Sequence, residues 1–330
     1  MISAKRFIAM CLGVAATAIW TIAGAASAEA EFPARPVRML IPYPPGGGLD
    51  LPGRAVGEKF AQQTGRQLVI DNRGGAGGLI AGEIVANANP DGYTLILASN
   101  GQVSIAPALY SKMPYDPLRD LTPVTHFVDT PMFLFANTSF PVKTVKDLIE
   151  RAKASPGKIG IALSGVGGVS HLMMELFRQR AGITLLGVPY KGAGAAMVDV
   201  ASGEVPLIFT TASSAKPLLD NNRIRPVAVA SKRRSPALPN VPSFEELGLS
   251  GMDAPLWIGT MAPKGTPPKI IAKLHSEFAK ALATKDVQDR LAAQSAEVAA
   301  AGPKEFGAMI RRDTERWAKV VKTAGIKIEQ

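Results

Sequence analysis

From Val37 onward the chain alternates short apolar runs with stretches of helical period. Val37 to Tyr43 is almost wholly apolar and predicts a strand. Asp50 to Thr64 places Leu51, Ala55, Val56 and Phe60 on one side and predicts a helix. Strand Leu68 to Ile70, a helix through Leu79, Ile84 and Val85, and strand Tyr93 to Ala98 follow. The alternation resumes with strand Met132 to Ala136 and helix Thr144 to Ala154, whose Thr144 and Asp147 have capping-box spacing. Strand Ile159 to Ala162, helix Ser170 to Ala181, strand Ile183 to Val188 and helix Ala193 to Ser202 come next. Then come strand Val205 to Thr210, helix Ser213 to Asn221, and strands Pro226 to Ala230 and Trp257 to Met261. The remainder is mostly helical: Pro267 to Thr284, Asp286 to Gln294, and Pro303 to Thr323 with Gly325 as a stop. This pattern predicts an α/β protein with a largely parallel sheet. No sequence repeat is evident.

The first residues stand apart from that pattern. Lys5 and Arg6 precede a long apolar run from Phe7 to Gly24, and Ala26-Ser27-Ala28 matches the small-x-small site of a secretory signal peptide. Cleavage after Ala28 would remove residues 1–28 and leave roughly 300 residues, enough for two ordinary domains. The single cysteine, Cys11, leaves with that segment, so neither disulfide nor thiol chemistry is expected in the mature chain. The predicted location is the periplasm.

The chain carries 37 Lys and Arg against 27 Asp and Glu, a net charge of +10 of which the leader holds two. The longest basic run, Lys232-Arg233-Arg234, sits among serines, and no nucleic-acid motif accompanies it. The excess therefore reads as a field for small anions, not as a nucleic-acid surface.

Four Gly-rich or polar loops are predicted between a strand and a helix: Pro44 to Asp50, Ser99 to Ser104, Ser164 to Ser170, and Tyr190 to Ala193. In an open α/β sheet ligands bind beyond the carboxyl ends of the strands. There the next helix offers unpaired N–H groups and the positive end of its dipole. Such loops can hold a carboxylate or phosphate without a lysine or arginine. Each loop also has a plainer reading as a tight turn. Asp50 reads first as a helix N-cap, and Ser164, Ser170 and Thr211 can also be caps.

Catalytic motifs are weak or missing. There is no phosphate-loop motif and no GxGxxG, and Ala162 breaks a GxSxG pattern at Ser164. Ser213 and Lys216 satisfy SxxK without its companion motifs, leaving a serine hydrolase as one rival. A polyanion-binding surface at Lys232–Arg234 is the other. His126, His171 and His275 lack metal-ligand spacing, and no metal or cofactor is expected.

Beyond these readings, an ordered set of segments resembles the Bug-type solute receptors, the periplasmic component associated with tripartite tricarboxylate transporters. They are PPGGGLDLPGR at Pro44 to Arg54, VIDNRGGAGG at Val69 to Gly78, NPDGYTLILAS at Asn89 to Ser99 and APALY at Ala106 to Tyr110. PYDPLRDLTPV at Pro114 to Val124, SGVGGVSHL at Ser164 to Leu172 and VPYKGAGAA at Val188 to Ala196 continue the order. SKRRSPALPNVPSFEELGL at Ser231 to Leu249 and APKGTPP at Ala262 to Pro268 complete it. The resemblance implies a two-domain Venus-flytrap periplasmic binding protein of type II topology with two crossover strands. Domain one would comprise residues 31–128 plus 251–330, and domain two residues 129–250. It further implies a monomer that captures a small organic carboxylate, mono- or dicarboxylic with an aromatic acid left open, for a membrane transporter.

Carried over residue by residue, the resemblance assigns the domain-one grip to Tyr43, Pro45, Gly46, Gly47 and Asp50. Domain two would contribute Ser164, Gly165, Tyr190, Gly192 and Ala193, while Asn100, Gly101 and Thr211 would meet the ligand's far end. Three departures bear on that far end. SNGQVS at Ser99 to Ser104 stands where Thr and His are frequent, Pro206 where an aspartate is frequent, and Gly48 where a bulkier residue is common. Trp257 is read either as a ligand-facing ring or as a packing residue near the second crossover.

Overall fold

A computed structural model describes residues 32–43, 45 and 48–326, so the predicted leader, Pro44, Gly46 and Gly47 lie outside the described residues. Phe32 to Arg35 belong to a separate N-terminal unit and carry no helix or strand; the chain from Pro36 is described below.

Two sheets organise this chain. The first has the order β11-β4-β10-β3-β1-β2, from strands β1 (Val37–Ile41), β2 (Leu68–Asn72), β3 (Thr94–Ser99), β4 (Leu121–Thr130), β10 (Leu256–Pro263) and β11 (Glu297–Ala301). The second has the order β7-β6-β8-β5-β9, from β5 (Met132–Asn137), β6 (Gly160–Leu163), β7 (Leu186–Pro189), β8 (Leu207–Thr211) and β9 (Ile224–Val229). Each sheet contains a parallel trio with its first strand in the middle: β2-β1-β3 in one and β7-β6-β8 in the other. The repeat that the residues do not spell is thus present in topology.

The remaining pairings are antiparallel, which corrects the expectation of a largely parallel arrangement. Strand β10 arrives late in the chain and inserts between β3 and β4 against their direction. An alternation of strand and helix cannot reveal the direction of such a strand. Strands β4 and β11 also escape the sequence pattern. Strand β4 mixes Thr, His and Asp into a mostly buried segment, and β11 is an irregular edge rich in alanine.

Helices follow the trio strands. In the first lobe α1 (Asp50–Thr64) and α2 (Leu79–Ala86) follow β1 and β2. After β3 comes a π-helical turn, Gly101–Ile105, in place of the expected loop, leading into α3 (Ala106–Leu109). Helix α4 (Pro117–Asp120) precedes β4, and α5 (Val145–Ala154) follows β5, with the Thr144–Asp147 capping box formed. In the second lobe α6 (Val169–Ala181), α7 (Ala193–Ser202) and α8 (Ala212–Asp220) follow β6, β7 and β8. The tail supplies α9 (Pro268–Leu282), α10 (Lys285–Ala292) and α11 (Pro303–Ala324).

The central strands β5 and β8 of sheet two are buried on both faces, so they alternate core against core and not core against solvent. Leu134, Ala136, Leu207 and Phe209 pack on one face, and Phe133, Phe135 and Ile208 on the other. In lobe one α1 lies close on the sheet because Gly53 has no side chain. A Cβ there would stand 2.9 Å from both Ile41 Cδ1 and Leu97 Cδ2. Phe278 on α9 meets Phe60 on α1 and Phe127 on β4, at ring-centroid distances of 5.3 and 5.2 Å.

Helix α11 spans both cores. Phe306 and Ile310 pack with Trp257 and Met261 of lobe one, whereas Trp317, Val320 and Val321 pack with Leu172, Leu176 and Phe177 of α6. Gln179 on α6 donates to the Val320 carbonyl at 3.1 Å. The tail is therefore a brace between lobes, not an appendage of one.

Candidate functional site

The strand registers fix where the trio helices begin. Ser99, the last residue of β3, lies opposite Ile258, and Leu256 lies opposite Thr130, the last residue of β4. After Pro131, Met132 opens β5 in the other sheet opposite Thr211, the last residue of β8. The carboxyl ends of both trios therefore point toward the crossings of the chain between sheets. Loops after β1, β2 and β3 and loops after β6, β7 and β8 border the same region.

In lobe one, Asp50 is the first helical residue and Leu49 takes the N-cap position without a side-chain cap, which corrects the reading of Asp50 as N-cap. The Asp50 carboxylate is buried and held from two sides. Arg54 Nε donates to it at 2.8 Å and Asn72 Nδ2 at 3.0 Å. Asn72 also donates to the Tyr43 carbonyl at 2.9 Å. Asn72, at the end of β2, thereby ties the first residue of α1 to the start of the Gly-rich loop. Neither Arg54 nor Asn72 was singled out from sequence. The i,i+4 spacing of Asp50 and Arg54 was the available signal.

Tyr43 follows the end of β1 and is half-buried, and burial holds its phenol above the usual range while Ser99 and Gln102 oppose that shift. A Cβ on Gly101 would stand 3.2 Å from its hydroxyl, so Tyr43 and Gly101 are neighbours. Pro45 is exposed. Asn100 is fully buried; its amide donates to the Pro255 carbonyl at 3.1 Å, linking β3 to the second crossing. Trp257 is buried and not displayed to solvent: its indole donates to Asp313 Oδ2 at 2.8 Å and meets Phe306 edge-on.

In lobe two, the loop after β6 closes on itself. Ser170 Oγ accepts from the Ser164 N–H at 2.9 Å and lies 2.8 Å from Ser164 Oγ. Gly167 N–H donates to His171 Nδ1 at 3.0 Å, which requires that nitrogen to be unprotonated. Burial lowers the His171 pKa and favours the same state. Helix α6 starts from Gly168 and α7 from Gly192, neither with a side-chain cap, so their first N–H groups have no such acceptor. Gly192 adopts φ 109°, a conformation that disfavours any side chain. Gly165 has open space where a Cβ would be, and Ala193 is exposed.

Tyr190 links the loops: its N–H donates to the Leu163 carbonyl at 2.9 Å and its hydroxyl to Asp199 at 2.7 Å. Burial and the Asp199 carboxylate push its phenol up to about 12. Thr211 is the N-cap of α8, accepting from the Ser214 N–H at 3.2 Å.

The rival sites fare differently. Lys216 pairs with Asp220 at 3.0 Å, so the SxxK lysine is engaged away from Ser213, whose hydroxyl contacts Thr211. In the basic run, Arg234 pairs with Glu246 at 2.9 Å and Arg233 lies 3.9 Å from Glu297. Among the described residues no helix is long and apolar enough to cross a membrane.

These features agree with known proteins. A family model described as "Tripartite tricarboxylate transporter family receptor" matches residues 53–326. Protein BugT of Bordetella pertussis is 37% identical over 309 residues, covering 93% of this chain and 94% of that one. Among solved structures, R. palustris Rpa4515 with adipate is 34% identical with a TM-score of 0.79, covering 90% of this chain and 100% of that chain. MatC from Rhodopseudomonas palustris with bound malate is 32% identical with a TM-score of 0.75, covering 88% and 100%. The two-sheet architecture is that of periplasmic binding proteins. This chain belongs to the tripartite tricarboxylate transporter receptor family, whose members are periplasmic solute-binding proteins and not enzymes.

Proposed function

We propose that this receptor captures a small organic carboxylate, mono- or dicarboxylic, by closing its two lobes, and passes it to a tripartite tricarboxylate-type membrane transporter. The observation that carries this reading is the start of α6 and α7 at uncapped glycines on adjacent parallel strands. Their N–H groups and dipoles suit an anion and need no cation. The adipate and malate bound to two relatives support the same class.

In this reading Ser164, Gly165, Tyr190, Gly192 and Ala193 form the lobe-two side of the grip. Tyr43, Pro45, Gly46, Gly47 and Asp50 form the lobe-one side, with Asn100, Gly101 and Thr211 toward the far end. Asp50 acts by holding the loop through Asn72 and Arg54. Domain one comprises residues 31–128 and 251–330, and domain two residues 129–250, with α11 bracing both. The mature protein begins after Ala28 and acts as a monomer in the periplasm.

A thermal-shift screen of the mature protein tests this, after unfolding and refolding to remove carried-over ligand. Aliphatic mono-, di- and tricarboxylates, amino acids and aromatic acids form the panel, with adipate and malate included. A ligand at 100 times its Kd adds about 2.7 kcal/mol. Stabilisation by one acid class is expected. A refolded protein indifferent to every acid would overturn the reading.

A further inference from the structure

We propose that Gln102 forms a donor subsite in lobe one that receives an acceptor oxygen at the ligand end remote from the anchored carboxylate. This rests on the carboxylate-receptor reading above.

Gln102 lies in the π-helical turn after β3 and is fully buried. Its Oε1 accepts from both the N–H and the Oγ of Ser99, each at 2.9 Å. Those bonds fix the amide orientation, because the opposite assignment would set the NH2 group against the Ser99 N–H. Nε2 is therefore a donor held in place: the Tyr43 phenol lies beside it, and among the described residues no acceptor meets it in hydrogen-bonding geometry.

The surroundings of Nε2 belong to the ligand edge of the sheet. A Cβ on Gly78, at the start of α2, would stand 2.8 Å from Nε2 and 2.9 Å from Pro42 Cβ. Gly78 has φ 93°, so the glycine both permits that turn and makes room for the amide. The loops after β1, β2 and β3 thus meet at one amide, and the phenol of Tyr43 shares the corner with Ser99 and Gln102. The hydroxyl of Tyr115, beside Gly82 on α2, is a second buried group without a partner.

Buried donors are nearly always paired in folded proteins. A ligand oxygen pairs this one upon closure, whether it belongs to a second carboxylate, a ketone or a hydroxyl. The named polar groups, Tyr43, Ser99, Gln102 and Tyr115, include no cation and no carboxylate. A far-end ammonium would meet the fixed Gln102 donor and be buried without a countercharge, and is disfavoured.

Calorimetric titration with linear acids of one chain length tests the assignment, the far end being methyl, hydroxyl, carboxylate or ammonium. The wild type should prefer the hydroxy acid and dicarboxylate over the plain monocarboxylate by on the order of 10- to 100-fold. Q102L should retain monocarboxylate affinity and lose that preference. Q102E, close to isosteric, should weaken the dicarboxylate and admit the ω-ammonium acid. If Q102L does not fold, Q102E carries the test alone.

Preference that persists in Q102L, or a wild type that binds all acids alike, would mean that Nε2 serves only a structural water, and the inference falls. A wild type that binds no acid of any kind would overturn the receptor reading instead.

Discussion

Thr130 and Met132 flank Pro131 and pair in different sheets, Thr130 with Leu256 and Met132 with Thr211. The first crossing between lobes is thus as short as a chain can make it. Asn100 secures the second crossing by donating to the Pro255 carbonyl. Both crossings lie at the carboxyl ends of the parallel trios, where the Gly-rich loops are. In the closure proposed above, rotation about such short connections would bring the loops of one lobe toward the other with little change inside either sheet.

Asn72 should matter more to binding than its distance from the Gly-rich turns implies. Asn72→Ala removes the donor to the Tyr43 carbonyl and to the buried Asp50 carboxylate. A stability loss of about 1–3 kcal/mol is expected, together with weakened carboxylate affinity. Urea denaturation and titration measure the two. Unchanged affinity in the folded variant would remove Asn72 from the loop's support.

Two glycines should separate fold from function. Gly165 faces open space, so Gly165→Val should melt like wild type and bind the acid poorly. Gly192 sits at φ 109°, so Gly192→Val should lose roughly 1–3 kcal/mol as well as affinity. Equal ligand affinity in Gly165→Val and wild type would place the anchor elsewhere.

How much of this was legible in sequence depends on where each signal resides. Helix α1 matched its predicted span because its period is local; in the structure Gly65 ends it as a left-handed C-cap. The Thr144–Asp147 box and the Gly325 stop were legible for the same reason. Gln102 was passed over because a polar residue after a strand reads as loop, and only tertiary packing buries it. Trp257 kept two readings until Asp313, far along the chain, was brought to its indole.

His171 should make stability fall on acidification. Its folded pKa lies below the ordinary value of 6.5, so the folded state binds fewer protons than the unfolded chain between the two. The contribution is complete above about 6.5 and declines as pH drops through the folded pKa. His171→Asn keeps an acceptor for the Gly167 N–H without titrating, and His275 is common to both proteins. The wild type should lose stability relative to His171→Asn below that pH. Parallel melting curves across pH would contradict this.

Asp313 should behave in the opposite sense. Burial outweighs Trp257 and Arg316 and raises its pKa, so the folded state holds the proton more tightly and stability declines as pH rises through that window. Asp313→Asn should therefore be at least as stable as wild type at neutral pH, with the decline removed. Asp313→Leu strands the indole N–H of Trp257 and should cost about 1–3 kcal/mol. A less stable Asp313→Asn at neutral pH would show that the charge itself is needed.

The central claim is that a carboxylate is anchored by amides at helix N-termini. Its most direct test is a calorimetric titration of the stripped mature protein with the responding acid and with the primary amide of the same acid. The account predicts one acid bound per chain and an amide weaker by at least about 100-fold, since the charge-assisted bonds are lost. An amide bound as tightly as the acid, or no saturable binding of either, would contradict it.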